Sequence, residues 1–197
     1  MSPTSDERPP THQPCPVVAI GASAGGLDPL RTLLDKLPAS PGMAFVIVQH
    51  LAPDHTSNLV ELLRRAASIP VEAAEEGTAI AENHAYVISP GDLLSFREGT
   101  LRTEAMPNLD AERHTIDFFF RSIAEELGER ALGIVLAGAG ADGTAGLDLI
   151  KRHGGMTLAQ DPDDAGVDMM PRSAIDAGVV DIVARAVELP EHLDEII

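Results

Sequence analysis

Short apolar runs alternate along the chain with stretches in which a leucine returns every three or four residues. The runs at 17–22 (VVAIGA), 44–49 (AFVIVQ), 132–137 (LGIVLA) and 156–160 (MTLAQ) are nearly continuous in apolar character. That is the pattern of strands covered on both faces. Weaker strand-like segments fall at 71–74, 85–89 and 93–97, the last followed by Glu98-Gly99-Thr100, which predicts a tight turn into 101–103. Between them, the spacing of Leu27, Leu30, Leu33, Leu34 and Leu37 predicts a helix over 27–37. A second helix is expected over 57–67, with Leu59, Leu62 and Leu63 on one stripe. A third covers 115–127, rich in Phe and closed by Gly128, and a fourth covers 144–153, ended by Gly154 and Gly155. Segments 171–177 and 190–197 read as closing helices. The fold class is therefore α/β: a doubly wound, mainly parallel sheet with helices on both faces, and an antiparallel hairpin inserted near 93–103.

Composition narrows what such a domain could do. At 197 residues and 44% apolar content the chain can fill one core, and with aromatics at only 3% that core is built from Ala, Val, Ile and Leu. Residues 1–16 hold five prolines among polar residues and are expected to be a disordered leader, leaving 17–197 as the folded domain. The net charge of −17 makes nucleic acid and anionic membrane surfaces poor partners. A single cysteine, Cys15, excludes an internal disulfide and any multi-cysteine metal site. No apolar run is long enough to span a bilayer and the N-terminus lacks a signal-peptide core, so a cytoplasmic location is expected. No metal is expected, and no cofactor is expected outside a dinucleotide alternative.

Three predicted strand ends carry unusual residues, and in open α/β sheets that edge is where function lies. Gly21-Ala22-Ser23-Ala24-Gly25 fits G-x-S-x-G, a sharp strand-to-helix turn that exposes a serine beside backbone N–H groups; the plainer reading makes Ser23 a helix cap. Gln49-His50 ends the next strand and could supply a general base, with His55 in the following loop as a competitor. The third end, Gly138-Ala139-Gly140-Ala141-Asp142-Gly143, admits three readings. It is a literal G-x-G-x-x-G, with Asp161 near the place of a ribose-binding acid, so a dinucleotide site is one. Asp142 would, however, put a carboxylate where a pyrophosphate should sit. The same residue could orient His50 as the third member of a triad, or simply cap the following helix. Chain order Ser23, His50, Asp142 differs from that of the common hydrolase folds, so the elbow motif alone does not imply one of those.

Six stretches, VVAIGASAGGLDPL (17–30), VIVQHLAPDHTS (46–57), HAYVISPGD (84–92), ERHTIDFFFRSIA (112–124), GIVLAGAGADGTAGL (133–147) and AQDPDDAGVDMMPRSAIDAGVVD (159–181), together resemble the catalytic domain of the CheB chemotaxis receptor methylesterases. The resemblance spans most of 17–190 in the family's order. It implies a Ser-His-Asp hydrolase with Ser23 as nucleophile, His50 as general base and acid, and Asp142 as orienting carboxylate. The backbone N–H groups of Ala24 and Ala139 become the expected oxyanion donors. It further implies demethylation of glutamate methyl esters on a receptor or sensor protein, deamidation of glutamine by the same chemistry, and methyltransferase or sensor-kinase modules as partners. Two departures stand out. Ala139 replaces the family's usual methionine, and the leader stands where a receiver domain normally precedes this domain. A catalytically silent receptor-docking domain is the remaining alternative.

Overall fold

The computed structural model describes residues 15–50, 58–107 and 113–196. In chain order the elements are β1 (Val17–Ala22), α1 (Leu27–Lys36), β2 (Ala44–Gln49), α2 (Asn58–Ala66), β3 (Val71–Ala73), β4 (Ala85–Val87), β5 (Asp92–Arg97) and β6 (Thr100–Ala105). They continue with α3 (Thr115–Leu127), a 3₁₀ turn (Gly128–Arg130), β7 (Ala131–Val135), α4 (Thr144–Arg152), β8 (Met156–Gln160), α5 (Met169–Asp176), β9 (Ile182–Ala184) and α6 (Leu189–Asp194). Seven strands form one sheet in the order β3-β4-β2-β1-β7-β8-β9, and every pairing in it is parallel. Strands β5 and β6 make a separate antiparallel pair.

The sheet is covered on both faces, as the continuous apolar strands require. Val18, Ile20, Phe45 and Ile47 face Leu30, Leu33 and Leu34 of α1, Leu63 of α2 and Leu189 and Leu193 of α6. The alternate residues Ala19, Val46 and Val48 face the other way, into a cluster with Ile116, Phe119, Phe120 and Ile123 of α3, Leu147 and Ile150 of α4 and Met170 of α5. This period-two division sends odd and even strand positions to different helices. Helix α3 lies over the centre of the sheet and approaches β1 closely. A Cβ on Gly21 would stand only 2.5 Å from Ile116 Cγ2, so no larger residue fits there without displacing that side chain. The hairpin adds Leu94, Phe96 and Leu101 to the same cluster. It is tied to α3 by the Phe96 N–H donating to Ser122 Oγ at 2.9 Å and the Glu98 N–H to Glu126 Oε1 at 2.8 Å. Its two-residue loop has Glu98 at φ 51° and Gly99 at φ 76°, positive at both central positions as a twisted hairpin favours.

The expected doubly wound fold is present, with local differences. Strand β9 was not foreseen: it is three residues long, with Val183 47% exposed, too short and too wet at the sheet edge to show a period. Leu62, expected on the buried stripe of α2, is 37% exposed. At 3.6 residues per turn it sits about 100° round the helix from Leu63, beyond the face that Leu59 and Leu63 bury. Two residues of the expected leader contribute to the fold. The Pro16 carbonyl accepts the Ala44 N–H at 3.0 Å, and Cys15 packs against the α3-side core. The rest of the leader, residues 1–14, lies outside the described residues.

Candidate active site

Strand β1 has β2 on one side and β7 on the other, so the sheet order turns there, and in open α/β sheets functional groups collect at the carboxyl ends of strands at such a point. All three predicted strand ends meet at that edge. The Ser23 N–H donates to the Ala137 carbonyl at 3.1 Å, the His50 N–H to the Ala22 carbonyl at 3.1 Å, and the Gly26 N–H closes the serine turn on the Ser23 carbonyl at 2.9 Å. A Cβ on Gly138 would lie 2.9 Å from the Ser23 Cβ, so glycine is what lets the β7 loop come this near the serine. Gln160, buried at the end of β8, supports the same peptide. Its Oε1 accepts the Ala137 N–H at 2.9 Å and its Nε2 donates to Asp164 Oδ2 at 2.9 Å.

His50 Nε2 stands 2.8 Å from Asp142 Oδ2. A carboxylate only accepts, so Nε2 carries the proton and the lone pair of the neutral ring is on Nδ1. Asp142 is held by more than the histidine. Oδ2 also accepts the Ile116 N–H at 2.9 Å, and Oδ1 accepts the N–H groups of Asp117 and Gly143, both at 2.9 Å. Its side chain is 3% exposed. Burial of a carboxylate is costly without such partners, and here the first turn of α3 supplies both N–H donors and the positive end of a helix dipole. The contact with His50 and the capping of a helix are thus made by one side chain, with a correction to which helix it caps. The helix whose first turn it satisfies is α3, reached across 26 residues, whereas at α4, the helix that follows it, Asp142 takes only the N–H of Gly143, the residue just ahead of that helix.

The N-terminus of α4 is already filled. Asp117 Oδ1 accepts the Gly143 N–H at 2.9 Å and the Gly146 N–H at 2.7 Å. A pyrophosphate would need those donors, and it would meet two carboxylates there, which overturns the dinucleotide reading of 138–143. Asp161 takes the Asp163 N–H on Oδ1 at 2.9 Å, within a tight turn. Asp117 is the residue that sequence reasoning passed over; the signal available was an acid in the first turn of a predicted helix, which is commonplace. Burial, and then the neighbouring Asp142 charge, push its carboxyl above the usual range. His114, Asp117 and Asp142 offer ligand atoms within 4.8 Å of one another. The buried Asp142 and half-buried Asp117 carboxylates are, however, already neutralised by backbone N–H donors, which occupy the oxygens a cation would need.

Ser23 lies at the mouth of this arrangement, half-buried, and its hydroxyl makes no hydrogen bond to His50 among the described residues. Ala24 and Ala139 are exposed on the two facing loops, and among the described residues no protein acceptor takes either N–H. His55, the competitor to His50, lies outside the described residues.

The profile of the CheB methylesterase family matches residues 18–193. The chain belongs to the CheB methylesterase family. Among its CheB relatives, a protein-glutamate methylesterase/protein-glutamine glutaminase of Photorhabdus laumondii is 39% identical over 90% of this chain, which spans only 51% of that protein's length. A relative from Leptospira interrogans, named a putative enzyme of the same kind, is 34% identical over 88% of this chain and 91% of its own length. The crystal structure of the Thermotoga maritima CheB methylesterase catalytic domain superposes with a TM-score of 0.84 at 30% identity, covering 92% of this chain and 98% of that one. The CheB fold thus accounts for the sheet, the helices on both faces and the separate hairpin together. No helix among the described residues is long and apolar enough to cross a membrane.

Proposed function

We propose that the chain is a carboxylic ester hydrolase that demethylates glutamate methyl esters on a methylated receptor or sensor protein in the cytoplasm, using Ser23, His50 and Asp142 as a triad. The observation that carries this reading is the 2.8 Å contact between His50 Nε2 and the buried Asp142 carboxylate, at the strand edge where Ser23 also lies. The relatives' names, protein-glutamate methylesterase and protein-glutamine glutaminase, favour the same substrate class.

In this mechanism Ser23 Oγ attacks the ester carbonyl carbon as His50 Nδ1 takes its proton. Asp142 stabilises the resulting imidazolium through Nε2. The oxyanion is received by the N–H groups of Ala24 and Ala139. The tetrahedral intermediate then collapses: the carbon–methoxy bond breaks, and methanol leaves with the proton held by His50. Water attacks the acyl-serine, again losing a proton to Nδ1, which returns it to Ser23 as glutamate departs. With a glutamine side chain the same steps release ammonia. The methionine-to-alanine change at 139 leaves the backbone donor intact. A silent docking domain has no specific observation in its favour.

The test is methanol release from a peptide or receptor carrying a glutamyl methyl ester, run with the wild type and with Ser23→Ala. Wild-type turnover, its loss in Ser23→Ala with an unchanged melting temperature, and fluorophosphonate labelling that requires Ser23 are the expected results. A folded wild type that neither releases methanol nor takes the label would sink the proposal.

A further inference from the structure

Asp117 belongs to α3, not to any of the three strand ends, and the reaction written above gives it no part. Yet it is bonded into the same loop as Asp142. Its Oδ1 accepts the N–H groups of Gly143 and Gly146 at 2.9 and 2.7 Å, while its own N–H donates to Asp142 Oδ1 at 2.9 Å. The two aspartates exchange helices: Asp142, just ahead of α4, serves the start of α3, and Asp117, in the first turn of α3, serves the start of α4. The Gly143 N–H is shared between them, so the peptide next to Asp142 is gripped by both carboxylates. Ion-ion repulsion works against this pairing, and the raised carboxyl of Asp117 reflects it after burial. Four backbone N–H groups, those of Ile116, Asp117, Gly143 and Gly146, oppose that repulsion.

We infer that Asp117 is a positioning residue for the His50–Asp142 pair, fixing the 143–146 turn against α3 and with it the place of Asp142 Oδ2 and the facing of the His50 ring. The inference rests on the proposed role of His50 as general base. A cap that only stabilised α4 would change the melting temperature and leave turnover of the folded enzyme alone. A positioning residue acts on kcat, because a displacement of about 1 Å in a reacting group costs about 10²-fold. Asparagine at 117 keeps an oxygen in the same place to accept both N–H groups. Alanine removes it, and glutamate keeps the charge but carries the oxygen one methylene further.

The experiment compares Asp117→Asn, Asp117→Ala and Asp117→Glu in the full chain. It records kcat and KM on a glutamyl methyl ester, the melting temperature, and the low-field proton resonance of His50 Nε2. The Asn variant is expected to stay within about threefold of wild-type kcat, while Ala and Glu fall by about 10²-fold with KM held within about twofold. The resonance should persist in Asn and weaken or vanish in Ala and Glu. Wild-type kcat in the Ala variant, or an Asn variant as slow as Ala, overturns the inference. Should Ala fail to fold, equal kcat in Asn and Glu overturns it. A wild type inactive on the ester refutes the functional proposal alone. In that case a resonance lost only in Ala and Glu still upholds the positioning role, and one unchanged in all three variants overturns it.

Discussion

His50 and Asp142 are 92 residues apart in the chain and 2.8 Å apart in the fold. The two partners sit in different media: the carboxylate is 3% exposed and the imidazole 23%. The ring stays partly open to solvent while its partner is enclosed by backbone N–H groups. In the proposed mechanism, charge on the ring is felt by a fixed, dry carboxylate, which counts for more than the same pair in water.

Asp142→Asn is expected to lower turnover by orders of magnitude, about 10⁴ in the chymotrypsin-type precedent, because the amide turns a donor toward a group that itself donates. The structure adds a second consequence. An amide offers one acceptor oxygen where the carboxylate offers two, so either the Ile116 N–H or the Asp117 N–H loses its partner, while the Gly143 N–H keeps Asp117 Oδ1. A stability loss of about 1–3 kcal/mol should accompany the rate loss. Turnover above about a tenth of wild type would leave at most ~1.4 kcal/mol for Asp142 to supply and would contradict the triad.

Gly21→Ala should destabilise by about 1–3 kcal/mol, since the new methyl is forced onto a packed side chain. Its Cβ would meet Ile116 Cγ2 at 2.5 Å and Cδ1 at 3.1 Å. Because the Ile116 N–H also holds Asp142, activity should fall as well. The double variant with Ile116→Ala tests the cause: it should be less destabilised than the sum of the singles. Additive losses would place the strain elsewhere.

Gln160→Leu should leave the buried Ala137 N–H without a partner, at a cost of about 1–3 kcal/mol. The carbonyl of the same residue holds the Ser23 N–H at 3.1 Å. A fall in kcat beyond that of an equally destabilising substitution in α1 is therefore expected. Steady-state kinetics well below the melting point decide it, and an unchanged kcat would confine Gln160 to stability.

Asp181 supplies the pH dependence. Burial raises its carboxyl, but Lys151 and the Thr157 hydroxyl and N–H outweigh that and bring it below the ordinary value. A carboxyl lowered by folding stabilises the native state above its unfolded value, about 3.9, and that contribution is lost as pH falls through the lowered value. Asp181→Asn should melt below wild type at neutral pH, with the gap closing on acidification and esterase activity unaffected. A gap that stays constant down to about pH 3 would contradict the ion-pair origin.

Much of this was legible before folding. Continuous apolar strands such as Ala44–Gln49 cannot be half-wet, so helices on both faces followed from their pattern. Gly99 announced the turn because glycine takes positive φ without strain, whereas the positive φ of Glu98 is imposed by the paired strands on either side. Ser23, His50 and Asp142 stood out because each follows an apolar run at a place where a parallel sheet collects its functional groups. Leu62 and β9 escaped for opposite reasons: a helical stripe is read with an angular error that a neighbouring face resolves, and a three-residue edge strand has no period to read.

The chain alone determined which strands had to be covered on both faces and which strand ends were candidates for chemistry, since both depend on residue type and short-range spacing. Tertiary structure decided which nitrogen of His50 meets the acid, that Asp142 serves the first turn of α3, and that Asp117 fills the N-terminus of α4. Those are hydrogen bonds between groups 26 to 92 residues apart. Local preference is blind to them because their partners are brought together only when the sheet and the helices over it have packed.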